Sequence, residues 1–177
     1  FEQQYHGWHD YLMYGMVAPY DRSASCGIPD AMRELTIVSK PQADAVKSIL
    51  KTNNDVAAII CEVSGPNSGS VPLMQEFLHS LRSIADNHGV VLIFDEVITG
   101  FRWSPGGMQQ VVGIKPDLTT FAKILTGGLP GGAVGGREEI MRLLDPAFAF
   151  NGRRPGVTHK GTFNGCSIIA AGAVAAM

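Results

Sequence analysis

The chain has 177 residues, 45% apolar and 17% charged, enough for one domain or a large part of one with its own core; this excludes a disordered, collagen-like or strongly charged chain. Fourteen Lys and Arg against sixteen Asp and Glu leave a net charge of −2 with no basic stripe for phosphate backbones, so nucleic acid is not an expected partner. The longest apolar runs, 90–94 and 168–177, fall short of the roughly 20 residues that cross a bilayer, so no membrane partner is expected either.

Residues 1–40 are punctuated by Gly7, Gly15, Pro19, Gly27 and Pro29 and read as loop with short elements. Phe1 opens without an initiator Met, and the apolar run up to Met177 reads as an unfinished helix, so a piece of a longer chain is expected. Ala45, Val46, Ile49 and Leu50 recur at helical spacing, and 56–61 is a short apolar run, a buried strand ending at Glu62. Pro72 stands at a predicted helix start. Phe77, Leu78, Leu81, Ile84 and Ala85 supply one apolar face of that helix, and Gly89 its end. Residues 90–94 are apolar at every position, the pattern of a strand covered on both faces, and lead into Asp95-Glu96. Strand, helix and strand make a βαβ crossover with parallel strands, so the class is α/β. Further on, 118–122 predicts a strand ending at Lys123, 133–134 a short strand between glycine pairs, and 138–144 a helix stopped by Pro146. The stretch 151–160, with Arg153, Arg154 and Lys160, reads as a solvated loop.

In an open parallel sheet, ligands bind outside the carboxyl ends of the strands, where Glu62, Asp95 and Lys123 converge. An unpaired carboxylate after a buried strand is costly, so Asp95 needs a cationic partner; a helix cap or an ion pair with Arg102 is its structural alternative. Lys123 lies among Phe121, Ala122, Ile124 and Leu125, apolar surroundings that favour a nucleophilic amine, with a plain surface lysine as the alternative. The glycine-rich stretch 127–136 contains neither a GxGxxG nor a Walker loop, which disfavours nucleotide binding. His6, His9 and Asp10 form a weak HxxHD pattern, and no metal is expected. The three cysteines, Cys26, Cys61 and Cys166, are odd in number and form no CxxC, which suits a reducing, cytoplasmic location.

A lysine, a carboxylate, a stacking aromatic and phosphate donors are the parts that a pyridoxal phosphate site needs. Read together, DEVITGFR at 95–102, PDLTTFAKILTGGLPGGAVGGREEIM at 116–141, HKGTFNG at 159–165, YHGWHD at 5–10 and CEVSGPNSG at 61–69 resemble the class III, fold type I pyridoxal-phosphate aminotransferases, in particular their glutamate-1-semialdehyde aminomutase-like branch. The resemblance covers nearly the whole chain. It implies a mostly parallel sheet sandwiched by helices, with 1–177 as part of the large cofactor-binding domain and both an N-terminal segment and a C-terminal small domain outside it. It also implies that Lys123 forms the internal aldimine with pyridoxal 5'-phosphate and shuttles the proton, and that Asp95 pairs with the pyridinium nitrogen. By the same resemblance Val97 and Tyr5 cover the two ring faces, Asn67 and Glu62 lie by the phenolic oxygen, and Thr162 donates to the phosphate in the neighbouring site of a homodimer. The implied substrates are a small-molecule amino donor and a carbonyl acceptor. Cys166-Ser167, where relatives often carry Asn-Pro, Pro66 beside Asn67, and the absence of a Ser-Pro-Gly approach after YHG depart from the family pattern and favour a transaminase over an aminomutase. A non-catalytic α/β binding module is the alternative of another class.

Overall fold

The computed structural model describes residues 1–150 and 156–177. The first forty residues hold two 3-10 turns, Asp10–Leu12 and Asp30–Leu35, and an isolated antiparallel bridge between Tyr14 and Ser23. Helix α1 (Ala43–Thr52) buries Val46 and Leu50, four residues apart on one face, and carries Asp44 in its first turn and Lys51 in its last, charges that oppose its dipole. Strand β1 (Ala58–Cys61) follows, two residues shorter than the apolar run that predicts it.

Helix α2 (Gln75–His88) buries Phe77, Leu78, Leu81, Ile84 and Ala85 and ends at Gly89, whose φ of 65° is the left-handed conformation of a helix stop. Pro72 is not at its first turn. The Leu73 N–H donates to Val63 O at 2.7 Å, which keeps 72–74 extended and delays the helix to Gln75. Strands β2 (Val91–Asp95), β3 (Leu118–Ala122) and β4 (Gly132–Gly136), with the short helix α3 (Gly107–Val112) between β2 and β3, complete a sheet of order β1-β2-β3-β4, parallel across the first three strands and antiparallel at β4. β4 absorbs the glycines that flank the predicted 133–134 strand. A Cβ on Gly136 would lie 2.4 Å from Asp117 O, and one on Gly132 3.0 Å from Phe121 O, so β3 admits only a bare backbone there.

Side chains alternate across the sheet, and the register places Cys61, Phe94 and Thr119 on the face packed against α1 and α2. Val91 and Ile93, on the other face, are only half-buried, so cover on that side is partial among the described residues. Asp117, just before β3, ties the strands together: Oδ2 accepts the Leu92 N–H at 2.7 Å and Arg82 at 2.9 Å, and Oδ1 accepts Arg137 at 3.0 Å. Burial pushes this carboxyl up, but the Leu92 N–H and the two guanidinium groups outweigh it and hold it below the ordinary value.

The predicted helix 138–144 divides into α4 (Glu138–Met141) and a 3-10 turn, Arg142–Leu144. Pro146 starts α5 (Pro146–Phe150) instead of stopping its predecessor, as a proline in the first helical turn can. Of the predicted solvated loop, 151–155 with Arg153 and Arg154 lies outside the described residues, and 156–160 has no regular structure. Helix α6 (Ser167–Ala176) packs on the 3-10 turn Lys123–Thr126. The contact is backbone on backbone, since a Cβ on Gly127 would meet Gly172 O at 2.8 Å and one on Gly172 would meet Thr126 O at the same distance.

Candidate active site

At the carboxyl ends of the parallel strands, the positions one beyond the Cys61–Phe94–Thr119 row are Glu62, Asp95 and Thr120, which face away from the core. Asp95 is 7% exposed. Its Oδ1 accepts the Val97 N–H at 3.1 Å and the Thr120 hydroxyl at 3.3 Å, and its Oδ2 lies 2.8 Å from His6 Nδ1. An ionised carboxylate can only accept, so the imidazole carries its proton on Nδ1 and donates it. His6, and not Arg102, is therefore the hydrogen-bond partner of Asp95; Arg102 Nε donates to Ile98 O at 3.2 Å. His6 Nε2 is buried with no hydrogen-bond partner among the described residues. The sequence offers His6 only as half of a weak metal pattern, although a histidine beside the aromatic expected to stack is a usable signal. Among the described residues, no three His, Cys, Asp or Glu gather as a metal ion would need.

Glu62 is 4% exposed, and its Oε2 accepts the Tyr5 N–H at 2.9 Å. A Cβ at Gly65 would lie 2.4 Å from that oxygen, so the carboxyl occupies space that only glycine leaves open. Burial pushes Glu62 up to about 7; the Tyr5 N–H pulls it down, the charge of Asp95 pushes it further up, and the Lys123 ammonium opposes. The charges of Asp95 and Lys123 thus both reach Glu62. The adjacent thiol of Cys61, fully buried, is pushed up to about 12 by desolvation, which leaves it protonated and inert.

Lys123 starts the 3-10 turn after β3 with φ of 50°, a left-handed conformation that costs a non-glycine residue about 1–3 kcal/mol and clusters at functional sites. The Thr126 hydroxyl closes the turn, donating to Leu129 O at 2.5 Å with Lys123 O 3.2 Å away. Contrary to the apolar surroundings predicted for it, Lys123 is exposed, because the turn lifts it off the strand while its neighbours Ile124 and Leu125 stay half-buried. Tyr5 is 42% exposed with its N–H pinned, so its ring is not part of the core. Val97 is half-buried beside Asp95. Asn67 is exposed in the 3-10 turn Pro66–Ser68, and Thr162 is exposed in the turn before α6; neither side chain bonds to the Asp95 group among the described residues. A cavity of about 410 Å³ lies elsewhere, between α1, the free edge of β1 and residues 34–39, with His6 at its margin.

Residues 6–177 match the aminotransferase class-III family. Among curated proteins, the glutamate-1-semialdehyde 2,1-aminomutase of Ignicoccus hospitalis is 43% identical over 169 residues, covering 93% of this chain and 38% of that protein. Among solved structures, an omega-transaminase from Sphaerobacter thermophilus superimposes with a TM-score of 0.85 at 33% identity, over 99% of this chain and 42% of that one. A glutamate-1-semialdehyde aminomutase from Pseudomonas aeruginosa PAO1 in complex with PMP gives 0.78 at 26% identity, over 98% of this chain and 40% of its own. The chain therefore spans about two fifths of the length of these relatives. Sheet order, the row of ionisable groups at the strand ends and the family match agree: the chain belongs to the class III aminotransferases.

Proposed function

We propose that the chain is part of the large cofactor-binding domain of a pyridoxal-phosphate-dependent enzyme that transfers an amino group between an amine or amino acid and a carbonyl acceptor. The observation that carries this is the state of Asp95. A carboxylate has about four lone-pair sites, and His6, Val97 and Thr120 engage three of them, leaving one on Oδ2 for a further donor. A ring N–H suits that remaining lone pair, and an exposed lysine coupled to the same group suits an aldehyde. When bound, pyridoxal phosphate supplies an aldehyde that condenses with amines and a ring that takes up electrons as a substrate C–H bond breaks.

Within this arrangement Asp95 Oδ2 would accept the pyridine N–H and favour that proton on the ring, while His6 fixes the carboxylate in the orientation this needs. Lys123 Nζ would hold the aldehyde carbon with loss of water and, once displaced by the incoming substrate amine, would move a proton from the substrate carbon. Tyr5 and Val97 would cover the ring faces, Glu62 and Asn67 would lie by its phenolic oxygen, and Thr162 would bind phosphate. Its exposure in a turn suits a phosphate in the neighbouring protomer of a homodimer. A cytoplasmic location completes the proposal and accords with the free, exposed thiol of Cys26.

A second outcome of the same chemistry, the intramolecular amino shift of a glutamate-1-semialdehyde aminomutase, is favoured by the curated relatives. Borohydride reduction of the full-length protein loaded with pyridoxal phosphate, followed by peptide mapping, tests the shared core. A label on Lys123 is expected; a label elsewhere, or none, removes the proposal and leaves a non-catalytic binding module. Glutamate-1-semialdehyde supplied alone then separates the two activities, since a mutase forms 5-aminolevulinate from it without net donor consumption and a transaminase requires a donor and acceptor pair.

A further inference from the structure

Gln4 stands outside every residue assigned above, yet both ends of its side-chain amide are used inside the protein. It is 5% exposed; its Nε2 donates to Glu62 O at 2.7 Å, and its Oε1 accepts the Glu62 N–H at 3.0 Å. These are the two bonds that a neighbouring strand would make with β1 one residue past its end. The chain then bonds forward twice: the Tyr5 N–H to Glu62 Oε2 at 2.9 Å, and His6 Nδ1 to Asp95 Oδ2 at 2.8 Å. Gln3, at φ of 64° with its N–H on Gly15 O at 2.6 Å, turns the backbone into this line. Residues 4–6 thus form a strap fastened across the ends of β1 and β2, and Gln4 is its anchor.

We infer that Gln4 is a positioning residue: its amide clamp on the Glu62 main chain sets the register of the strap, and so fixes Tyr5 over the site and His6 against Asp95. No other natural side chain of this length offers both a donor and an acceptor at its tip; Glu lacks the donor and Met lacks both. The inference rests on the pyridoxal phosphate reading of the Asp95 group.

The test uses the full-length protein with Gln4→Met and Gln4→Glu. In the apo form, hydrogen exchange of the peptide carrying the Tyr5 amide should quicken about tenfold in Gln4→Met, with the α2 peptide unchanged. The dissociation constant for pyridoxal phosphate should rise about tenfold, and the visible circular dichroism of the bound cofactor should change as its ring tilts, with a smaller effect in Gln4→Glu. In combination with His6→Phe, Gln4→Met should add little, because both act through the same strap. If Gln4→Met does not fold, Gln4→Glu carries the same measurements. Wild-type protein labelled on Lys123 beside Gln4 variants with unaltered affinity and dichroism overturns this inference alone. Wild-type protein that takes no label on Lys123 overturns the functional reading, and this inference with it.

Discussion

The two ends of the parallel strands treat buried carboxylates in opposite ways. Where β3 begins, Asp117 is closed by the Leu92 N–H and two arginines, so its charge is neutralised within the protein. Where β2 ends, Asp95 has, among the described residues, three donors and no arginine or lysine, and Glu62 has one main-chain donor with its protonation balanced near neutrality. Glu96, one residue on, belongs with Asp117: Thr99, the Met108 and Gln109 N–H groups and the Gln109 amide fill both of its oxygens. Carboxylates that hold the fold are satisfied internally, whereas those at the candidate site keep capacity for a visitor.

Five substitutions would break or sharpen this contrast. Lys123→Ala should lower amino transfer by on the order of 10³-fold or more in single-turnover assays while leaving the urea midpoint unmoved, and Asp95→Asn should lose most turnover yet keep some cofactor. Asp117→Ala should do the reverse, costing about 1–3 kcal/mol in urea unfolding because it leaves the Leu92 N–H and one Arg82 Nη without their acceptor while Asp86 keeps the other, with turnover per folded molecule unchanged. The Asp117 contribution is present at neutral pH and fades as pH falls through its depressed folded value.

Glu62→Gln comes next, and its signature lies in pH. Because the folded carboxyl is raised to about 7, the native state holds a proton that the unfolded chain releases near its ordinary value, so wild-type stability falls as pH rises across that window. Glutamine should flatten that slope and gain up to ~3 kcal/mol above pH 7, read from urea midpoints at several pH values. The smallest effect is expected at Gly107, whose φ of 71° and a Cβ only 2.6 Å from Glu96 Oε2 make Gly107→Ala destabilising by about 1–3 kcal/mol in thermal unfolding.

Much of the sheet is legible in the sequence because contiguous apolar runs and the Gly89 stop mark β1, α2 and β2 directly, and strand ends then name Glu62, Asp95 and Lys123 without knowledge of contacts. The links that complete the site are not legible. The His6 pairing joins residues 89 positions apart and the Gln4 clamp spans 58, and nothing local in the sequence signals either. Glycine is ambiguous for the same reason: in β4 it answers a close neighbouring backbone, a tertiary fact, and so its pattern alone suggests a strand boundary instead of strand. Proline misleads twice, at Pro72 and Pro146, because the same ring ends one element and opens another according to the residues after it.

The glycine contact between α6 and the Lys123 turn has a mechanical consequence. Gly127 and Gly172 press main chain to main chain, with Leu129 and Ile169 packed alongside, so the helix sits directly against the loop that carries the amine. A larger residue at either glycine would therefore wedge the two apart, and the backbone of α6 serves as the wall on which the Lys123 turn rests.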